Sequence, residues 1–250
     1  MIKIFFVEKL ENETFKGKIC VRDPIKYPHQ VSIHDKELLK QKEDSYKCGG
    51  SIISSYYVLS AAHCFLSETK KYIVIVGSLY HNNGGIYKVC TVIKHPEFES
   101  LENNMQKNDI ALIRVKDSFV FSNLVNSINF YNKKLDYINN LIGTIIGWGV
   151  NCDGNLPDCL QEIEVPIIKE RIPHNSRVFI AGYSKKYEEK CADHGDSGSP
   201  FLIDGKLAGI VSFSGRRSGK IFLTEVLFYQ EWISETTKRI EHDKAKCIIM

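Results

Sequence analysis

Ser197 has a setting in which a serine can act as a nucleophile. It lies in CADHGDSGSP, residues 191–200, closely bracketed by Gly195 and Gly198. Glycines allow the sharp bend that brings backbone N–H groups next to a ligand. Glycine and serine also build ordinary turns, and a serine hydroxyl attacks poorly until a base within hydrogen-bond reach takes its proton. The nucleophile hypothesis therefore requires a base elsewhere in the chain.

His63 and Asp109 are the candidates for that base and for the group that orients it. His63 directly follows a strand-like run in SAAHCF, and Asp109 heads the apolar run DIALIRV. A buried carboxylate is costly without partners, and an imidazole N–H would supply one. In return, the carboxylate selects the tautomer of the base and stabilises the imidazolium. The three residues predict nucleophilic catalysis by a serine.

A disulfide between Cys48 and Cys64 is expected to hold the histidine loop. Cys48 lies sixteen positions before Cys64, and the residues between them contain SIISSYYVLSAA, a length that suits two strands that turn back on each other. A bridge there would clamp the loop of His63 to the sheet. It would also stabilise the fold, because closing a loop of about fifteen residues is worth ~3 kcal/mol in the chain-entropy model.

The elements that must position these residues are predicted to be strands. Short β-branched or aromatic runs such as KYIVIVGS, NLIGTIIGWG and KIFLTEV are punctuated by Gly, Asn, Asp and Pro. Eight or more such runs without helical periodicity favour barrels or sandwiches. One amphipathic helix is expected at the end, and residues 126–140 are expected to cross between two β halves. The helix is predicted from the spacing of Leu227, Phe228, Trp232, Ile233 and Ile240.

Composition limits the partners and the compartment. Basic and acidic residues nearly balance, 33 against 30, so the chain has no overall charge signature for nucleic acid or an anionic membrane. Eight cysteines in 250 residues favour an oxidising compartment. The apolar run Ile4–Val7 is too short for a signal peptide, and Asn12 begins a glycosylation sequon. We expect a secreted protein whose first segment is missing or that leaves the cell by another route.

The motifs together resemble the chymotrypsin and trypsin-like serine endopeptidase family, including its insect-type secreted members. CGGS, SAAHC, NDIALI, GWG and GDSGSP occur in that family's order and rough spacing, and YPHQVSI resembles its first strand. The order His63, Asp109, Ser197 is also that of the family. The resemblance implies an all-β fold of two six-stranded antiparallel Greek-key barrels with a C-terminal helix.

The resemblance also implies roles and partners. Ser197 becomes the nucleophile, His63 the general base and acid, and Asp109 the residue that orients it. The backbone N–H groups of Gly195 and Ser197 become the oxyanion hole. No cofactor or metal is expected. The implied partners are protein or peptide substrates and protein protease inhibitors, the implied state is a secreted monomer, and neither nucleic acid nor membrane binding is expected.

Several positions depart from the family pattern. Ser199 replaces the second glycine of GDSGGP, and Asp193 stands where the family has a cysteine. Cys152 and Cys159 flank DGNLPD and are a candidate local bridge. The cysteines left without an assigned partner allow three pairings; they are Cys20, Cys90, Cys191 and Cys247.

Activation is expected to follow N-terminal cleavage. In the family, a new N-terminal ammonium inserts beside the aspartate that precedes the nucleophile, here Asp196, because a buried carboxylate needs a cation. The chain has ETFKGKICVRDP in place of the usual Ile-Val-Gly-Gly. Cleavage after Lys18 would free Ile19, which is closer to Tyr27 than the family pattern requires.

The primary pocket is predicted to be apolar. Trypsins carry an aspartate six positions before the nucleophile, and Cys191 occupies that position here. Ile221 aligns with the usual wall glycine and would favour small aliphatic side chains; if Gly219 is the true counterpart, the pocket is open to Phe, Tyr or Leu. The remaining wall residues are Ser212, Phe213 and Ser214.

These observations divide the chain into an N-terminal segment 1–18, a candidate propeptide remnant, a protease domain 19–235 with its crossover near 118–140, and a tail 236–250. The predicted function is a serine endopeptidase. The irregular N-terminus and cysteines leave open a non-catalytic homologue that binds or regulates. A metal site using Cys152 and Cys159 lacks a second cysteine pair at zinc-like spacing.

Overall fold

Strands rich in buried β-branched residues build a first closed barrel. The computed structural model describes residues 18–41, 45–65, 72–101, 106–135, 141–150, 156–168, 177–182, 196–215 and 220–242. The barrel strands pair antiparallel in the order β2-β3-β4-β9-β6-β5. They are β2 (Gln30–Asp35), β3 (Tyr46–Ile52), β4 (Tyr57–Ser60), β5 (Tyr72–Val76), β6 (Gly85–Lys94) and β9 (Ala111–Val115). Val31, Ile33, Val58, Val74 and Ile113 are fully buried in its core.

A second antiparallel barrel follows in the C-terminal half. Its six strands pair in the order β11-β10-β13-β14-β15-β12, and the pairing of β11 with β12 closes the barrel. The strands are β10 (Ile142–Gly147), β11 (Gln161–Ile168), β12 (Val178–Gly182), β13 (Pro200–Ile203), β14 (Lys206–Gly215) and β15 (Lys220–Glu225). The short β1 (Ile19–Cys20) pairs antiparallel with the start of β11, at Gln161 and Glu162. The prediction of two six-stranded antiparallel barrels is confirmed.

The remaining elements are short, apart from the last helix. They are α1 (Lys36–Lys40), β7 (Glu99–Ser100), β8 (Gln106–Lys107), α2 (Gln230–His242) and two 3-10 turns, Ala62–Cys64 and Val226–Tyr229. Helix α2 confirms the expected C-terminal helix. It runs across the expected 235/236 boundary, because Thr236 is buried on the face that packs onto the barrels.

The two barrels share a core, and the active-site segments lie along it. The shared cluster contains apolar residues from β4 and β9 of the first barrel, from β10 and β14 of the second, and from α2. The connection from β9 to β10 is fixed to the second barrel by Tyr131 N–H to Leu207 O and Leu207 N–H to Asn129 O, both 2.9 Å. Of the expected crossover, residues 136–140 lie outside the described residues. No described helix has the length and apolar character to cross a membrane.

The disulfides correct one expectation. The structure joins Cys48 to Cys64, and it joins Cys159 to Cys20, so the expected local bridge from Cys159 to Cys152 is wrong. The reason is the pairing of β1 with β11, which places Cys20 opposite Gln161, two residues after Cys159. Cys90 is also disulfide-bonded. The other cysteines lie outside the described residues; they are Cys152, Cys191 and Cys247.

Candidate active site

His63 sits in a tight turn that leaves a strand of the first barrel. Strand β4 ends at Ser60, the fully buried Ala61 and Ala62 follow, and a 3-10 turn carries His63. Small side chains let this turn pack closely against neighbouring segments. The next residue, Cys64, is bridged to Cys48 in β3. The imidazole is therefore held at a fixed position, with about a quarter of its side chain, 25%, exposed to solvent.

Asp109 lies beside His63 because the strands that carry them are paired. Strand β9 begins two residues after Asp109, and its Ala111 is opposite Ser60 of β4. His63 Nδ1 lies 2.7 Å from Asp109 Oδ2, and the backbone N–H of His63 donates to Asp109 Oδ1 at 2.9 Å. Both oxygens of this fully buried carboxylate thus face the histidine.

The second barrel supplies further hydrogen bonds to Asp109. Ser212 Oγ in β14 donates to Asp109 Oδ2 at 2.5 Å, and Thr224 Oγ1 in β15 donates to the Asp109 carbonyl at 3.0 Å. The Ser212 hydroxyl offsets part of the cost of burying the carboxylate, and the Thr224 hydroxyl satisfies the backbone carbonyl. Sequence reasoning assigned Ser212 only to the pocket wall and did not single out Thr224, because a lone hydroxyl in a strand carries no signal of its partner.

The loop that precedes Asp109 is fixed by Asn108. This residue takes a positive φ of 50°, which asparagine tolerates better than most residues. Its side chain donates to Glu97 O at 2.9 Å and accepts from Tyr229 Oη at 3.0 Å. Burial raises the pKa of Tyr229 to about 12, so its hydroxyl remains a donor at neutral pH.

Backbone contacts hold Ser197 against the segments that flank His63. Its carbonyl accepts from Gly49 N–H at 2.8 Å, directly next to the bridged Cys48. Gly198 has a positive φ of 77°, and a Cβ there would lie 2.2 Å from Ser60 Oγ and 2.4 Å from Gly49 O. Only glycine fits this close approach. The Ser197 backbone therefore adjoins the segments that flank His63; Gly195, the other expected oxyanion donor, lies outside the described residues.

The Ser199 side chain fills the space beside two glycines, Gly49 and Gly147, that have no side chains of their own. It is fully buried, and a Cβ at Gly49 would lie 2.1 Å from its Oγ, while one at Gly147 would lie 2.8 Å away. The hydroxyl is thus accommodated between two glycines. Ser199 Oγ has no hydrogen-bond partner within the part of the chain that the structure describes.

Asp196 is buried and pairs with a cation from the N-terminal segment. Its side chain is 1% exposed, and its Oδ1 accepts from Gly149 N–H at 3.0 Å. Lys18 Nζ lies 2.5 Å from its Oδ2 and also donates to Gly149 O at 3.2 Å. The sequence predicted a cation at Asp196 and placed it at a new N-terminus. The structure has a lysine side chain at this carboxylate.

The predicted pocket residues fall on two paired strands and one undescribed segment. Ser214 of β14 lies opposite Ile221 of β15, and Phe213 lies opposite Phe222 with ring centroids 5.6 Å apart. Ile221 is 4% exposed and belongs to the core cluster of the second barrel. Cys191 lies outside the described residues, as does the alternative Gly219.

The site does not fit a metal ion. Ligand atoms of Cys48, His63 and Cys64 lie within 4.8 Å of one another. Both sulfurs are joined in a disulfide, so neither is the thiolate that binds a metal. Cys159 is likewise bonded to Cys20, which removes a ligand from the metal hypothesis for Cys152 and Cys159.

Comparisons with known proteins identify the family and support the fold. The family model described as Trypsin matches residues 21–233. Trypsin-4 of Rattus norvegicus is 32% identical over 227 residues, which are 84% of each chain. The trypsin of Simulium vittatum is 32% identical over 197 residues, 74% of this chain and 77% of that one. Among solved structures, neuropsin, a serine protease expressed in the limbic system of mouse brain, superposes with a TM-score of 0.74 at 26% identity, covering 89% of this chain and 99% of its own.

Proposed function

The chain belongs to the trypsin family of serine proteases, and we propose that it is an active endopeptidase that cleaves proteins through an acyl-enzyme on Ser197. The observation that carries the proposal is the contact of His63 with Asp109. A histidine held at 2.7 Å by a fully buried carboxylate supports the proposal, because a general base needs such an orienting partner, and the Ser197 backbone adjoins the segments that flank this histidine.

Asp109 determines which nitrogen of His63 acts as the base. An ionised carboxylate only accepts hydrogen bonds, so His63 Nδ1 carries the proton in this contact. The lone pair then lies on Nε2, on the side of the ring away from Asp109. In the proposed reaction, His63 Nε2 removes the hydroxyl proton of Ser197, and Ser197 Oγ attacks the substrate carbonyl carbon.

The proton then moves on to the leaving group. The imidazolium of His63 donates it to the amide nitrogen as the C–N bond breaks, which leaves an ester on Ser197. A water molecule repeats the sequence: His63 takes its proton, the oxygen attacks the ester, and the proton returns to Ser197 Oγ. Asp109 stays ionised throughout and stabilises the imidazolium.

The negative charge on the carbonyl oxygen needs donors that are in place before the reaction. We assign them to the backbone N–H groups of Gly195 and Ser197, and one such donor is typically worth ~3 kcal/mol in the transition state. Two contacts support this assignment at Ser197. Gly49 N–H binds its carbonyl, and the adjacent Asp196 is held by Gly149. The first contact fixes the peptide that follows Ser197, and the second fixes the side chain of the residue that precedes it.

We further propose that the enzyme prefers small apolar side chains before the cut bond. Ile221 lies opposite Ser214 where an open pocket would have glycine, and Cys191 supplies no charge to pair with Lys or Arg. A methylene in an apolar pocket is worth about 1 to 3 kcal/mol, so the selectivity should be modest. A positional-scanning peptide library tests this, and a dominant preference for Arg or Lys would contradict it.

The setting we propose is extracellular. The described disulfides, Cys48–Cys64 and Cys20–Cys159, persist in oxidising compartments and are rare in the cytosol. We propose a monomer that acts on protein substrates and is controlled by protein inhibitors. Activation by N-terminal cleavage stays a prediction from the sequence. The ion pair of Lys18 with Asp196 is relevant to it, because cleavage is expected to supply a cation to the same carboxylate.

A fluorophosphonate probe tests the proposed activity, because it forms a bond only with an activated serine. We expect the probe to label Ser197 stoichiometrically and to abolish hydrolysis of a peptide ester. The control is the Ser197→Ala variant, which should remain unlabelled. If neither the 250-residue chain nor N-terminally trimmed forms react, the chain is a non-catalytic member of its family.

A further inference from the structure

Lys18 buries its ammonium group beside the residue that precedes the nucleophile. Its side chain is only 8% exposed, and its Nζ lies 2.5 Å from Asp196 Oδ2. Lysine is almost never buried without a partner. Lys18 and Asp196 therefore form a specific ion pair, although they are 178 positions apart in the sequence. The pair of Lys26 with Glu162 is different, because 47% of the Lys26 side chain is exposed to solvent.

The pair is part of a small polar site around Gly149. Gly149 N–H donates to Asp196 Oδ1 at 3.0 Å, and Gly149 O accepts from Lys18 Nζ at 3.2 Å. A Cβ at Gly149 would lie 2.3 Å from Asp196 Cγ, so the carboxylate packs directly on this backbone. Carboxylate, ammonium and peptide thus hold one another in a fixed arrangement.

The segment that carries Lys18 is anchored by contacts independent of the ion pair. Ile19 and Cys20 pair with Glu162 and Gln161 of β11. Cys20 is bonded to Cys159, and Val21 N–H donates to Leu160 O at 2.8 Å. These contacts fix the backbone on the C-terminal side of Lys18, and from this position its side chain reaches Asp196.

We propose that Lys18 is a positioning residue that supplies, within the uncut chain, the cation that Asp196 needs. This inference rests on the proposed function, because Asp196 acts through the peptide it shares with Ser197. With its charge neutralised by Lys18, Asp196 stays buried and holds the Ser197 N–H in place. The protease is then competent without N-terminal cleavage. A cut between Lys18 and Ile19 removes the Lys18 cation, and the new α-ammonium belongs to a residue that is held against Glu162 of β11.

Two forms of the protein separate this inference from activation by cleavage. The first is the 250-residue chain with Met1 confirmed by intact mass, and the second is the chain beginning at Ile19. We expect the uncut chain to label with a fluorophosphonate and to hydrolyse peptide esters. We expect the chain beginning at Ile19 to be about a hundredfold slower, because its buried carboxylate has lost Lys18 and the α-ammonium of Ile19 is held at β11 by strand pairing. The opposite ranking, or equal rates, overturns the inference.

Variants at Lys18 in the full chain test its mechanism. Lys18→Met keeps the length of the side chain and removes the charge, and we expect kcat to fall by about a hundredfold with little change in KM. Each rate is calculated per folded molecule, and circular dichroism measures the folded fraction. Lys18→Arg should restore most of the activity, and so should propylammonium added to Lys18→Ala, whereas propanol should not. The matched control is Lys26→Met, which should keep the wild-type rate.

The outcomes distinguish this inference from the proposed function. Full activity of Lys18→Met overturns the inference and leaves the function intact. Lower stability with an unchanged kcat per folded molecule also overturns it, because that is the effect of a merely structural lysine. If every form, including the chain beginning at Ile19, fails to react with the probe, the proposed function is wrong and the inference fails with it.

Discussion

Ser212 Oγ donates a 2.5 Å hydrogen bond to Asp109 Oδ2, the same oxygen that His63 Nδ1 contacts at 2.7 Å. Ser212 belongs to the second barrel, whereas Asp109 and His63 belong to the first. The orientation of the carboxylate, and through it that of the imidazole, therefore depends on how the two barrels are packed together.

We expect Ser212→Ala to lower kcat/KM by about tenfold, since one net hydrogen bond to a charged group is lost. The loss should be in kcat, because Asp109 does not contact substrate. Thr224→Val is the matched control: it removes a buried hydroxyl that binds the Asp109 carbonyl rather than the carboxylate. Equal losses in kcat for the two variants would show that Ser212 only stabilises the fold.

Ser197→Ala should abolish hydrolysis of peptides and esters while leaving the fold intact. Loss of the nucleophile lowers turnover by about six orders of magnitude, and no packing is removed with the hydroxyl. Ser199→Ala, two residues along, is the control and should keep its activity. The nucleophile would have to be reassigned if Ser197→Ala retained more than a few per cent of wild-type turnover in an assay free of contaminating protease.

Ser199→Ala should stabilise the protein. Its hydroxyl is fully buried and has no hydrogen-bond partner in the described part of the chain, and such a group costs roughly 1 kcal/mol or more. The variant removes this group without adding volume. Urea unfolding at pH 7 measures the change; an increase of about 1 kcal/mol in the free energy of unfolding is expected, and a decrease would mean that the hydroxyl is satisfied.

His29 should make the stability depend on pH. Burial lowers the pKa of its imidazole to about 4, while an unfolded histidine titrates near 6.5. Between these values the unfolded chain binds a proton that the folded protein does not. The free energy of unfolding should therefore fall by roughly 3 kcal/mol as the pH drops from about 6.5 to about 4.

His29→Leu provides the comparison for that prediction. Other groups titrate in the same range, so the quantity to measure is the difference between wild type and variant in urea unfolding at several pH values. The variant should lack the contribution of His29 and lose less stability on acidification. If the free energies of unfolding of the two proteins changed with pH in parallel, the pKa of His29 would be the same in the folded and unfolded states, and the prediction would be wrong.

The disulfide from Cys20 to Cys159 should contribute strongly to stability. It links residues 139 positions apart, and in the chain-entropy model a bridge of this length is worth roughly 5 kcal/mol. The double variant Cys20→Ser/Cys159→Ser should unfold at a lower temperature. Non-reducing peptide mapping checks the pairing itself; a peptide that joins Cys159 to Cys152 would contradict the structure.

The sequence by itself determined the family, the fold class and the proposed chemistry. Residue type decides whether a group can be a nucleophile, a base or an orienting carboxylate, and the motifs around Ser197, His63 and Asp109 preserve these types in a diagnostic order. The strands were also predictable, because short runs of β-branched and aromatic residues bounded by Gly, Asn, Asp and Pro are a local pattern.

The tertiary structure alone decided which distant side chains meet. Lys18 is one of many charged residues near the start of the chain, and nothing around it indicates a partner 178 positions away. Cys159 has Cys152 as its nearer neighbour in sequence, yet the pairing of β1 with β11 places Cys20 beside it. Such contacts depend on how strands pair and barrels pack, and long-range pairing leaves no periodic trace in the residues that take part.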